Sequence, residues 1–232
     1  MNKIKKMLVS TIAIVALSTM NAFAGEIGFG VTGSFAGISG NGSEKDTNRT
    51  SQNASAYNST SVGSMFAEYT LDGDHGMTFG VDYIPGSANV NAKTLSRTDT
   101  ESSVEDTETT TTTSVTRSAQ GKIDNHLTYY AELPIHGGLY GKLGYATMDV
   151  TTQESFASSK AYGNTSVDGV VMGIGFKSDI GSNAFYKVEG THTNYGGFTL
   201  NETGQTTNSD QNSITVSDIV VNKGTFAIGF KF

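Results

Sequence analysis

The sequence has no cysteine and no tryptophan and only two prolines. Past residue 24 it has no apolar run near the ~18 residues a membrane-crossing helix needs. Without cysteine there is neither a disulfide framework nor a thiolate metal site. Without a long apolar run, no helix crosses a bilayer downstream of residue 24. Only 36% of the 232 residues are hydrophobic, poor material for a soluble core in a chain long enough for one large domain or two small ones. Positive charge is scarce too. The formal net charge is −7, a balance that argues against nucleic acid as a partner.

Three of the lysines, Lys3, Lys5 and Lys6, stand ahead of the apolar run "MLVSTIAIVAL" (7–17), which "NAFA" (21–24) follows. This is the three-part layout of a secretory signal peptide, with cleavage expected between Ala24 and Gly25. The apolar run is too short for a good membrane anchor, the alternative reading. Losing the three lysines takes the net charge from −7 to −10. The expected organisation is a signal peptide at 1–24 and one domain at 25–232.

What the mature chain does contain is strand-like alternation. Runs with period two fall at 26–35, 62–71, 77–84, 123–133, 139–148, 167–177 and 184–193, and a last one closes on "GTFAIGFKF" (224–232). The breaks "DGDHG", "PIHGG" and "SDIGSN" are short and rich in glycine or in aspartate and asparagine, as hairpin turns are. The other connections are long, polar and rich in Ser, Thr and Asn. Long and short connections alternate strictly, as they must if the chain crosses a membrane eight times from one side. Each run has roughly the 9 to 11 residues a tilted strand needs to cross the hydrocarbon.

The charges obey the same parity. Glu68, Asp82, Glu132, Lys142, Lys177, Lys187, Glu189 and Lys231 all fall on the face opposite the apolar stripe of their run. Gly28, Gly30, Gly80, Gly144, Gly173, Gly175 and Gly229 share that face. A soluble β-sandwich shows the same alternation but leaves the leader, the loop rule and the final phenylalanines unconnected. If the apolar faces meet lipid instead, the sheet must close, because unpaired backbone groups in hydrocarbon cost several kcal/mol each. The outward Tyr69, Tyr83, Tyr129, Tyr145 and Tyr186 then form an interfacial belt.

Taken together, the leader, the eight alternating runs, the ordered turns and the ending "FAIGFKF" resemble the small bacterial outer-membrane β-barrels of the OmpA transmembrane-domain, OmpX and opacity-protein group, the porin family. The resemblance covers residues 25–232. It implies an all-β, transmembrane, antiparallel up-and-down barrel with short periplasmic turns and long extracellular loops. Eight strands are expected, or ten if Pro85–Lys122 contains a further hairpin. It also implies that the barrel-assembly machinery reads Phe226, Ile228, Phe230 and Phe232. The inward charges named above would form an interior ion-pair network, without the pairs being assignable. A peptidoglycan-binding domain has no counterpart in this sequence. The expected partners are outer-membrane lipid, the assembly machinery and an extracellular ligand at the loops, for a protein acting as a monomer.

An eight-stranded barrel is just wide enough for its side chains to fill. The expected function is therefore non-enzymatic: a largely plugged surface anchor whose loops recognise or shield. The alternative is a narrow porin for ions or small polar solutes. Inward glycines leave space for such a pore, or else make room for the inward Phe66, Tyr130, Tyr140 and Phe185. Catalysis would need a nucleophile or an activated water beside a base. Of four histidines, His75 and His136 fall in short turns and His192 faces lipid. His126 shares the inward face with Asp124 but has no serine beside it. Glu105, Asp106 and Glu108 match neither the spacing nor the glycine placement of a calcium loop, so no metal or cofactor is expected. Deleting Phe232 should impair membrane assembly while export continues, read as loss of the heat-modifiable form; normal heat-modifiable protein would contradict this.

Overall fold

The computed structural model describes residues 25–45, 52–73, 76–89, 95–105, 109–155, 162–203 and 213–232. The expected leader and Ala24 lie outside these residues, as do His75, Asp106 and Glu108. Eleven strands follow in order: β1 (Gly25–Lys45), β2 (Gln52–Leu71), β3 (Thr78–Ile84), β4 (Ala88–Asn89), β5 (Leu95–Glu105), β6 (Thr109–His136), β7 (Leu139–Ser155), β8 (Asn164–Ile180), β9 (Ala184–Tyr195), β10 (Phe198–Asn201) and β11 (Ser213–Lys231). Eight of them, in the order β1-β2-β3-β6-β7-β8-β9-β11, form an antiparallel ring that β1 and β11 close by pairing with each other. Phe232 completes the seam through reciprocal backbone bonds with Ile27, at 2.9 and 3.1 Å. Closure at this seam pairs the first and last strands of the ring, as a sheet in hydrocarbon requires.

Short turns gather at one end. Gly137 and Gly138 both have positive φ, 58° and 88°, as a two-residue hairpin turn requires. At the other end the strands run far beyond the alternating segments. β6 has 28 residues, β1 has 21 and β2 has 20. The polar stretches read from the sequence as loops are thus largely paired strand: "NGSEK" against "QNASA", and Leu95–Glu105 against Thr109–Ala119. The hairpin inside Pro85–Lys122 does exist, but β5 pairs with β6 outside the ring, so the barrel has eight strands.

Two bulges toward the long strand ends shift the pattern. Asn125 and Asp218 hold φ of 51° and 52°, a region that Asn and Asp tolerate. Each bulge puts one extra residue on its strand, so the faces exchange beyond it.

Outside, a belt of Val31, Phe35, Met65, Leu143, Met172, Ile174, Val188 and Phe230 leaves half or more of each side chain uncovered. In water that would be a large unprotected apolar patch; in lipid it is the surface required. Inside, four aromatic side chains each lie directly opposite a glycine on the next strand: Phe66 against Gly30, Tyr130 against Gly80, Tyr140 against Gly175 and Phe185 against Gly229. A Cβ at any of these glycines would collide with the ring it faces. These four inward glycines therefore make room for rings. Gly80→Val should destabilise the folded barrel by about 1–3 kcal/mol in urea titrations in lipid vesicles. The outward Gly33→Val, where a Cβ meets nothing within 4 Å, should cost far less.

Candidate functional site

The ring fixes side-chain direction by parity, and Glu68 (β2), Glu132 (β6), Lys142 (β7), Lys177 (β8), Lys187 and Glu189 (both β9) meet inside it. Lys187 is 2% exposed and Glu132 3%. Its ammonium donates to both Glu132 oxygens, at 2.7 and 2.9 Å, and to Glu68 Oε2. Lys142 donates to both oxygens of Glu189, at 2.9 and 2.8 Å, and lies 3.7 Å from Glu132. Lys177 donates to Glu68 Oε1 at 2.9 Å. Three carboxylates and three ammonium groups thus form one neutral layer across the barrel.

The aromatic rings belong to the same layer. The Tyr130 hydroxyl donates to Glu68 at 3.0 Å and the Tyr140 hydroxyl to Glu189 at 2.6 Å. Lys142 sits over the Tyr130 ring at 3.9 Å and Lys177 over the Phe185 ring at 4.3 Å. The bulk and inward direction of these rings are legible from parity. Their role as donors and cation–π faces is not, because it depends on neighbours across the lumen.

Other expected members lie elsewhere. Asp82 is inward and buried, but its described bond is from the Ser64 hydroxyl at 2.7 Å, and no lysine pairs with it among the described residues. Lys231 lies at the short-turn rim with Asp179 at 2.9 Å and Glu26 at 3.3 Å. Phe226, Ile228, Phe230 and Phe232 point outward along the closing strand.

The His126–Asp124 pairing is corrected. The Asn125 bulge turns Asp124 to the outer face, where it meets Lys122 at 3.1 Å. His126 instead shares a 2.6 Å hydrogen bond with the Tyr195 hydroxyl. Outside, His192 bonds Asn222 at 2.8 Å and His136 is exposed. Glu105 ends β5, and no group of three or more potential metal-ligating side chains occurs among the described residues.

Members of the charged layer line two spaces in the lumen. One of about 800 Å³ opens at the short-turn end and is lined by Glu132, Tyr140 and Lys177. The other, of about 220 Å³, lies toward the long strand ends and has Lys142, Glu189 and Asp82 in its lining.

A closed ring with a greasy outside and a charge-neutralised inside defines a transmembrane β-barrel. The chain belongs to the outer membrane protein beta-barrel domain family, whose sequence model matches residues 9–230. It is accordingly an outer-membrane protein, with the short turns periplasmic and the long strand ends extracellular. Among curated proteins no relative matches. Solved structures similar to this chain include OprG from Pseudomonas aeruginosa, 14% identical over 90% of this chain and 97% of that one, with a TM-score of 0.45. Ail of Yersinia pestis, solved in complex with the heparin analogue sucrose octasulfate, is 11% identical over 88% and 99%, with a TM-score of 0.38. The outer membrane protease OmpT from Escherichia coli is 7% identical over 91% and 98%, with a TM-score of 0.44.

Breaking a buried ion pair by removing one partner costs about 3–5 kcal/mol, because the other charge is stranded. Lys187→Met should lose that much unfolding free energy in lipid vesicles. Adding Glu132→Gln should recover part of the loss. Strictly additive losses would show that the two groups do not interact.

Proposed function

We propose that this protein is a non-enzymatic outer-membrane anchor. Its lumen is closed by the Glu–Lys layer, and its extracellular strand extensions carry surface recognition. The observation that carries this reading is the layer itself, in which every charge has a partner of opposite sign and the rings between them fill the bore. The extensions support it: a strand needs roughly 9 to 11 residues to cross the hydrocarbon, so well over half of β6 stands beyond it. The stretch 99–108 is acidic in sequence, with Asp99, Glu101, Glu105, Asp106 and Glu108, which suits a cationic or neutral surface partner and disfavours a polyanion. Residues 1–24 act as the removable export signal, cut between Ala24 and Gly25. The outward aromatics of β11 present the assembly contact, and the barrel works as a monomer.

The second reading, a narrow pore for ions or small polar solutes, draws on the two luminal spaces that meet on either side of a single charged layer. Planar-bilayer recording separates the readings. Protein shown to be inserted should give no discrete conductance. Steady unitary openings would overturn the anchor and make Lys142, Lys177 and Lys187 selectivity residues.

A further inference from the structure

The extracellular half of the lumen holds the space of about 220 Å³. Part of its wall is aliphatic, from Ile38, Ile123, Met148 and Val171, and Thr128, Thr191, Thr193, His126 and Lys223 line it too. Asp82 lines it as well, 8% exposed, with Oδ2 bonded to Ser64 and Oδ1 buried without a hydrogen-bond partner. A buried carboxylate oxygen left unmet costs free energy until a donor reaches it.

The wall beside Asp82 supplies an independent observation. β2 and β3 are paired only from Thr70 opposite Thr78 up to Met65 opposite Tyr83. One residue further, β3 ends at Ile84, and the Pro85 that follows has no N–H to continue the ladder. β4 then pairs with β6 and not with β2. β2 runs on to Gln52, hydrogen-bonded along its length to β1. Among the described residues its other edge, from Ser64 outward, pairs with no strand and is bridged by Asn58 Nδ2 donating to the Asn89 carbonyl at 2.7 Å. The cavity reaches this slot, since Ser61 and Gly63, outward on β2, and Gly86 and Ser87 opposite them belong to its lining.

The height of the slot matters. Ser61 stands opposite Phe35 on β1, and Phe35 is an exposed member of the lipid-facing belt. A strand edge at that depth is tolerated only where it lines a cavity. We propose that the slot between β2 and β3 is a lateral portal from the outer leaflet, and that the cavity binds a small uncharged aliphatic molecule carrying a hydroxyl or amide N–H, which donates to Asp82. The aliphatic walls accept the body of the molecule. A path at hydrocarbon depth selects against a charged head. The Lys142–Glu189 pair forms the floor and makes the chamber a binding site and not a through-route. That last point rests on the closed lumen proposed above; binding and lateral access do not.

The absence of cysteine in the chain makes the test clean. Full-length mature protein in lipid nanodiscs is titrated with n-octanol while the NMR signals of Asp82 and His126 are followed. Saturable shifts are expected, and Asp82→Leu should weaken the apparent affinity by about tenfold or more. Gly63→Cys, folded and then capped with a bulky maleimide, should slow octanol exchange without abolishing binding. Heat-modifiable mobility certifies the folding of each variant, and Asp82→Asn, which keeps an acceptor oxygen, should bind nearly as the parent does. Shifts that never saturate, or an Asp82→Leu variant that binds as tightly as the parent, would overturn the site. Exchange unchanged by the cap would overturn the portal. A conducting barrel that still binds octanol would refute the closed lumen alone.

Discussion

The ammonium group of Lys187, 2% exposed at the centre of a closed sheet, is the constraint around which the interior is arranged. A cation cannot stay in such a place without neutralisation and hydrogen bonds. Glu68 and Glu132 reach it from β2 and β6, so strands that are not neighbours in the ring are tied across the bore. Those acids are in turn shared with Lys177 and Lys142, and Lys142 is held by Glu189. Sliding any one strand by one residue would swing its charge into lipid. The layer therefore fixes register, and the same contacts hold the barrel's shape.

The glycine–aromatic pairs explain why the layer has room for rings. A small barrel cannot hold large side chains on neighbouring strands at one level. Opposite each of Phe66, Tyr130, Tyr140 and Phe185 the next strand carries a glycine. The rings lie across the vacated backbone, and the phenols and π faces then supply the remaining partners of Glu68, Glu189, Lys142 and Lys177. Past this layer the lumen changes character. The extracellular half carries an aliphatic cluster, and Asp82, incompletely bonded, lies beside the break in the wall.

How much of this is legible in the sequence depends on whether two environments differ across the sheet. Within the bilayer one face meets lipid and the other the lumen, so period-two alternation is sharp, and Glu68, Glu132, Lys142, Lys177, Lys187 and Glu189 can be assigned inward from parity alone. Beyond the bilayer both faces are polar and alternation fades. "NGSEKDTNRTSQNASAYNSTS" reads as loop, although much of it is paired strand. Parity also fails wherever a bulge intervenes. Asp124 and His126 are two residues apart and look co-facial, yet the left-handed Asn125 between them sends Asp124 to the outside. Asp82 shows a third limit: direction is readable, but its choice of Ser64 over a lysine depends on how far side chains reach across the barrel.

Lys187 is locked between carboxylates at the barrel axis. Solid-state NMR of the protein in lipid bilayers tests this by measuring the dipolar coupling between Lys187 Nζ and the Glu132 carboxyl carbon. A strong, static coupling, with ammonium protons that exchange slowly with water, is the result this structure requires. A coupling averaged to nothing, with fast proton exchange, would mean that Lys187 faces open water and that the ion-paired layer does not exist.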